Sequence, residues 1–408
     1  MDQKQLKDHK QIGQELELFF THELAPGAPF WLPKGFIIFR ELEKYIRQLT
    51  ESAGYLETST PIMVKSELFK QSGHWTKFGE HNMYNLSLSD EADDSKPELY
   101  SLKPMNCPES TILYRFRPRS YRELPLRLSE IGRLHRREKS GEVNGLLRVR
   151  QLTMDDAHIY TREDQIFDEV SNILDMMIGF YKSFGFEYEF RLATRPESRA
   201  GSEDKWDRAE KELAEALEKK GLKAGDKLGD GAFYGPKIDV HIKDSQNREW
   251  QLATVQLDFH QPEAFKLEYV DEEGNKQRPV MIHRAIFGSF ERFIAILTEH
   301  FQGNFPVWLA PLQVQIIPIA DRHVEYAQIV LEQLKASNIR VEIDARSKKM
   351  QGKIRDAQLQ KIPYMLIVGD REAEGKQVAV RTRDEKDLGA MNIQEFLDKI
   401  NKDVESKT

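Results

Sequence analysis

Cysteine is almost absent from this sequence: Cys107 is the only one in 408 residues. One thiol can close no internal disulfide and build no all-cysteine metal site, and such sparing use fits a reducing cytoplasm. Long apolar runs are missing too. No stretch approaches the roughly 18 residues that span a bilayer, so no membrane association is expected, and the polar start Met1-Asp2-Gln3-Lys4 reads as no signal peptide. Charge of one sign is not in excess: 60 basic residues face 67 acidic ones, for a net of −7. That balance provides no broad pull toward nucleic acid. Residues 310–408 carry 17 basic and 16 acidic side chains, slightly more basic than the remainder. The phosphate loop G-x-x-x-x-G-K-[ST], the elbow G-x-S-x-G and the zinc helix H-E-x-x-H are all absent.

What remains is a globular composition, 39% hydrophobic and 31% charged, with 22 Phe, 13 Tyr and 5 Trp to bury. The length suggests two to three compact units. A polar helix is expected over the first 25 residues, with Ile12, Leu16, Phe19 and Phe20 at helical spacing, and a second over Gly35–Ala53. Tyr55–Thr60 alternates like a strand and stops at Pro61. The tract Ser87–Lys96 reads as a surface loop or hairpin tip. Leu126–Leu134 and Leu146–Met154 read as an antiparallel pair around a glycine-containing loop, and Ile166–Phe184 as an amphipathic helix. A strand over Glu187–Ala193, a helix over Trp206–Lys220, strands over Ile238–Ile242, Glu249–Phe259 and Phe265–Val270, and a helix over Arg284–Phe301 follow. Beyond a break at residues 303–311 the rhythm changes to short apolar strands alternating with helices, the pattern of a small α/β domain.

The chemistry-bearing residues are dense between Arg115 and Arg150. If Arg136, Glu138, Arg148 and Arg150 lie on strands, the pleat points them in pairs to shared faces, where Arg forks grip phosphate and Glu accepts from an exocyclic amine. The alternative is a salt-bridged sheet surface. Asp155-Asp156-Ala157-His158 ends the second strand of that pair and suits metal binding, acid/base work or end capping; Met281-Ile282-His283-Arg284, at a helix start, is equally open. Residues alone reach an arginine-rich sheet with an anion site.

Several blocks carry a resemblance. Lys103-Pro104-Met105-Asn106-Cys107-Pro108, Arg148-Val149-Arg150, Asp155-Asp156-Ala157-His158, Phe233-Tyr234-Gly235-Pro236-Lys237, Thr254-Val255-Gln256-Leu257-Asp258-Phe259 and Met281-Ile282-His283-Arg284-Ala285 resemble, in order and separation, the threonyl-tRNA synthetases. The resemblance runs over essentially the whole chain. It implies an α+β fold: a class II catalytic domain over 1–305, with an antiparallel sheet flanked by helices, then a smaller α/β anticodon-binding domain over 311–408. It implies attachment of L-threonine to tRNA(Thr) through a threonyl-adenylate, with Mg²⁺ accompanying ATP, in a cytoplasmic homodimer whose interface is the segment ending at Pro61. The rival is a synthetase-like RNA-binding or regulatory protein that charges nothing.

Residue by residue, the resemblance implies Cys107, His158 and His283 as ligands of one Zn²⁺ per chain. Asp156, Tyr234, Gln256 and Met105 would border threonine. Arg136 and Arg292, the second from Gly288-Ser289-Phe290-Glu291-Arg292, would be catalytic. Arg136, Glu138, Arg148, Leu152, Gln251 and Arg292 would contact ATP, and Arg355, Glu372 and Arg381 the anticodon. Met154 stands where many relatives have glutamine, and Leu152 where an aromatic ring often stacks on adenine. The 408 residues suffice for these two domains and are expected to leave no room for an editing domain.

Overall fold

The computed structural model describes residues 6–88, 97–199, 201–244 and 246–407. The chain forms two compact units, one of Thr21–Pro29 and Glu43–Phe293, the other of Met1–Phe20, Phe30–Leu42 and Ile294–Thr408.

The first unit is built on eight strands: β1 (Leu56–Glu57), β2 (Leu126–His135), β3 (Gln151–Thr161), β4 (Tyr188–Ala193), β5 (Ala224–Lys227), β6 (Lys237–Lys243), β7 (Glu249–Asp258) and β8 (Val280–Ser289). They lie in the order β5-β4-β6-β7-β8-β3-β2-β1. The six central strands are antiparallel neighbours, and only the outermost pairs β5/β4 and β1/β2 are parallel. Alternation decides which residues do chemistry. On β3, Ala157 and Ile159 enter the core, while Met154, Asp156 and His158 face the opposite side. The helix Ile166–Ser183 closes the core face: Ile166, Val170, Ile173, Leu174, Met177, Phe180 and Tyr181 recur at helical spacing and are all buried. Phe180 stacks on Phe287 of β8 with centroids 5.3 Å apart.

The other unit contains β9 (Val314–Pro318), β10 (Val341–Ile343), β11 (Tyr364–Val368), β12 (Gln377–Thr382) and β13 (Asp387–Asn392) in the order β10-β9-β11-β12-β13. The first three are parallel and the rest antiparallel. The architecture is therefore α+β, an antiparallel sheet with flanking helices plus a smaller α/β sheet, as expected.

Several local expectations fail. The first helix spans only His9–Glu15, because Glu17 takes a left-handed φ of 54°; Phe19–Phe20 then pairs as a strand with Phe30–Trp31. Tyr55–Thr60 contributes only the two residues of β1. The second strand of the central pair starts at Gln151, not Leu146, since the Arg150 amide donates to Gly27 O at 2.7 Å instead of joining the ladder. Arg136, Glu138, Arg148 and Arg150 therefore lie on the connection between β2 and β3, and the pleat argument does not apply to them. Asp155–His158 are mid-strand. Residues 280–289 are a strand, and the helix begins only at Phe290, so His283 and Arg284 are strand residues. Phe265–Val270 keeps two strand residues, Tyr269–Val270, after a short helix His260–Ala264. The loop expected at Ser87–Lys96 lies, from residue 89 on, outside the described residues.

Candidate active site

Register assembles the site. Gln256 on β7 pairs with His283 on β8, which pairs with His158 on β3; the next row is Thr254, Ala285 and Asp156. Cys107 approaches from the start of the helix Cys107–Arg115. Its Sγ and the ring nitrogens of His158 and His283 all lie within 4.8 Å of one another, and all three residues are buried. One sulfur and two imidazole nitrogens converging on an open cavity fit a tetrahedral divalent ion with its fourth position free, zinc above all. The Nε2 of His283 is 2.9 Å from Asp258 Oδ2, the orienting carboxylate typical behind a ligating histidine. Burial pushes the Cys107 thiol up and the His158 imidazole down; the second favours the neutral ring a metal needs, and the first is reversed when a bound cation takes the thiolate.

The cavity over this row measures about 160 Å³, small beside the several hundred Å³ of drug-sized ligand sites. Met105, Arg136, Asp156, Tyr234 and Gln256 line it together with the Cys/His/His group. Asp156 accepts from Asn106 Nδ2 at 3.0 Å, and burial raises its carboxyl. Asn106 fits because Gly132 faces it; a Cβ there would sit 2.3 Å from Asn106 Oδ1. Tyr234 donates to Gln256 Oε1 and its ring lies 5.2 Å from that of His283.

Beyond the cavity the charge becomes positive. Arg136 donates to Pro104 O at 3.2 Å, and Arg292 donates to Leu147 O at 3.0 Å. The Arg292 guanidinium is held below its usual range by burial first, then by the nearby Arg136 and Arg148. Mutually repelling guanidinium groups gathered this way suit a polyanion. Glu138 accepts both Nε and Nη2 of Arg148, at 3.0 and 2.7 Å. Leu152 is buried with Leu134 and Val149 against Met154, an apolar wall without a ring. Gln251 does not line the cavity, but a bulge on β7 between Thr254 and Gln251 restores it to the same sheet face.

Spacing did not point to His74, whose Nε2 is 3.7 Å from Cys107 Sγ and whose imidazole burial pushes down to about 4. A larger cavity of about 490 Å³ adjoins Tyr234 on its other side, between Trp206, Phe259 and His260.

In the other unit Arg355 is exposed on the helix Met350–Leu359, and Arg381 is half-buried on β12. The Glu372 carboxylate accepts from the Gly369 amide at 2.9 Å, capping its own short helix. Sequence reasoning also missed a cleft of about 370 Å³ at the carboxyl ends of β9 and β10, lined by Arg346, Lys348, Lys349 and the buried Lys353. The chain leaves β9 to build β10 on one side and β11 on the other, the switch point where open α/β sheets bind ligands. The run Arg346-Ser347-Lys348-Lys349 was its only signal.

The tRNA synthetase class II core domain family (G, H, P, S and T) matches residues 84–301, and the anticodon binding domain family matches 313–403. A threonine--tRNA ligase of Desulforamulus reducens is 51% identical over 408 residues, all of this chain and 63% of the relative. That of Clostridium novyi is 50% identical with the same coverage. The chain thus spans about 63% of the length of these curated relatives. Among solved structures, the RNA binding domain of a threonyl-tRNA synthetase from Cryptosporidium parvum superposes with a TM-score of 0.93 at 38% identity, covering 97% of this chain and 98% of that one. A putative threonyl-tRNA synthetase from Aeropyrum pernix gives 0.83 at 27% identity, over 98% and 97%.

Proposed function

The chain belongs to the threonyl-tRNA synthetases of class II, and on that footing we propose that it attaches L-threonine to tRNA(Thr) through a threonyl-adenylate. The observation that carries this reading is the single sheet face on which Cys107, His158, His283, Asp156 and Gln256 meet, bordered by Arg136. The threonine carboxylate would attack the α-phosphorus of ATP, and pyrophosphate would leave. Arg136 and Arg292 hold fixed positive charge where negative charge gathers on phosphorus and carboxylate oxygens. Arg148 meets the outer phosphates, with Mg²⁺ accompanying ATP, while Glu138 accepts from the adenine amine and Leu152 and Gln251 flank the nucleotide. Cys107, His158 and His283 would hold the zinc, which would supply open coordination, expandable to five ligands, for the amino and hydroxyl groups of threonine. Asp156 accepts from that hydroxyl, Met105 closes the pocket, and Tyr234 and Gln256 face the amino group. Valine offers a methyl where Asp156 needs a donor. Serine lacks only a methyl group, a difference that limits discrimination to roughly 10–200-fold.

The smaller unit holds the anticodon through Arg355, Glu372 and Arg381, and its basic cleft, lined by Arg346, Lys348, Lys349 and Lys353, suits phosphate. A catalytic domain over 1–305 and an anticodon domain over 311–408 divide the labour. The edge strand β1, with Leu56, Ile62 and Met63 exposed beside it, supports a homodimer. A cytoplasmic location accords with the lone cysteine; among the described residues no helix is long and apolar enough to cross a membrane.

ATP–pyrophosphate exchange with threonine, valine and serine, combined with metal analysis, tests this. Exchange with threonine but not valine and one zinc per chain are expected, and Cys107→Ser should lose the metal. Full activity in that variant would refute the metal's role. No exchange with threonine despite bound zinc would leave an RNA-binding or regulatory protein.

A further inference from the structure

A chain of hydrogen bonds runs from the amino-acid cavity to a carboxylate outside it. Asp239 is fully buried on β6, directly opposite Thr254 on β7. Its Oδ2 lies 2.6 Å from the Lys237 ammonium, and its Oδ1 accepts the Thr254 hydroxyl at 3.0 Å. A carboxylate held by an ammonium offers only lone pairs. Thr254 must therefore give its one proton to Asp239, leaving an oxygen lone pair for Gln256 Nε2, 3.0 Å away. That pins the amide with Oε1 toward Tyr234, and the Tyr234 hydroxyl donates its proton there. Only lone pairs of the phenol oxygen are then left for the cavity.

We propose that Asp239 is a positioning residue for amino-acid recognition, which fixes the direction of the relay Asp239–Thr254–Gln256–Tyr234 and so presents the Tyr234 oxygen as an acceptor for the substrate's amino group. This rests on the reading that the cavity takes an α-amino acid. Nothing else in the relay has a fixed sense. A hydroxyl and an amide can each turn over, and a reversed relay would aim the phenol proton at the N–H groups of the substrate's amino group. Two β-strands and one ion pair thus convert the charge of a residue that never touches substrate into a donor–acceptor preference at the pocket wall.

Removing Asp239 would leave Lys237, among the described residues, with only the longer 3.7 Å contact to Asp230 and strand the half-buried Thr254 hydroxyl, so the relay is best cut at its second link, in the full chain. Thr254→Val is isosteric and breaks both of that residue's hydrogen bonds; Thr254→Ser retains them. Measured by pyrophosphate exchange, Thr254→Val should raise KM for threonine roughly ten-fold with KM for ATP nearly unchanged, the loss expected when a charged group's hydrogen bond is removed. Thr254→Ser should restore the wild-type value. Tyr234→Phe should raise KM similarly, and the Tyr234→Phe/Thr254→Val double variant should be no worse than the more affected single variant. An unchanged KM in Thr254→Val, proportional rises for both substrates, or multiplicative effects in the double variant would overturn the relay. Should the wild-type chain bind threonine by calorimetry yet exchange no pyrophosphate, the same cycle read as Kd decides the relay, and catalysis is the reading that fails. A wild-type chain that binds no threonine overturns both.

Discussion

Replacing Asp155 should loosen the catalytic unit more than a typical substitution, and the reason is visible in the ladder between β3 and β8. Pairing runs in step to Asp156↔Ala285 and resumes at Met154↔Ser289, so the one residue Asp155 of β3 opposes three of β8. The bulge leaves the amides of Ile286, Phe287 and Gly288 without strand partners. One carboxylate takes all three: Asp155 accepts them at 2.7, 3.3 and 3.1 Å. Asp155→Ala strands these donors, two of them on fully buried residues, at about 1–3 kcal/mol each, for a total loss of about 3–9 kcal/mol at pH 6. The loss should depend on pH. Burial lifts the Asp155 carboxyl to about 7, against the pull of Arg284 and the bulge amides. A folded value above the unfolded one means stability that is full below pH 4 and lost as pH rises through about 7. The wild type should therefore lose about 1 kcal/mol between pH 6 and 8 from this group, and the variant's deficit should shrink by that amount. Urea unfolding of both proteins at the two pH values, with m unchanged, is the assay. A deficit below about 1 kcal/mol at pH 6, or one that grows toward pH 8, would refute the reasoning. Because the bulge feeds directly into Arg292, a folded variant should also show a raised KM for ATP with little change for threonine.

Three further outcomes follow from single contacts. Gly235→Ala would place a Cβ 1.7 Å from the Leu257 carbonyl oxygen, so the backbone carrying Tyr234 must move; a loss of about 2–3 kcal/mol in thermal unfolding is expected, together with weaker threonine binding, and an unchanged Tm would contradict the clash. Asp258→Asn keeps a side chain of the same shape but weakens the hold on His283 Nε2, and should lower zinc affinity by about 10–100-fold in competition with a chromophoric chelator. Arg381→Ala should raise KM for tRNA in aminoacylation while leaving pyrophosphate exchange untouched; an equal fall in both assays would remove the smaller unit from RNA recognition.

The sequence was most legible where one periodicity held over a whole element. The helix Pro33–Ser52 and the helix Ile166–Ser183 show it, as do the short apolar strands after residue 313. It was least legible at 280–301. A strand buried on both faces runs there straight into a buried helix, and Val280, Met281, Ile282, Ala285, Ile286, Phe287, Phe290 and Phe293 follow neither a strand nor a helix period, because apolar residues fall on both faces of the strand. The one break signal at the strand–helix junction is Gly288, at φ +80°. The small unit's last strand, Asp387–Asn392, went unnoticed for the opposite reason: it is largely exposed and holds no apolar stripe. In the candidate site, the meeting of Cys107 with His158 and His283 could not come from spacing, because long segments separate them. The resemblance supplied the set, and the register of β3 against β8 supplies the physical cause.

That register also explains why cavity and arginine cluster cannot be tuned separately. His158 and Asp156 point into the cavity from β3, and Asp155, between them and Met154, points the other way to hold the bulge of β8. His283 and Ala285 precede the bulge on β8, and Arg292 follows it. A one-residue slip of β3 against β8 would exchange Asp155 for Asp156, bury the cavity's carboxylate under the bulge, and turn His158 into the core. Of the two adjacent acids, one therefore faces the cavity and the other prevents the slip. The lone cysteine is placed under the same constraint, since it can complete a metal site only while His158 and His283 remain directly opposite one another.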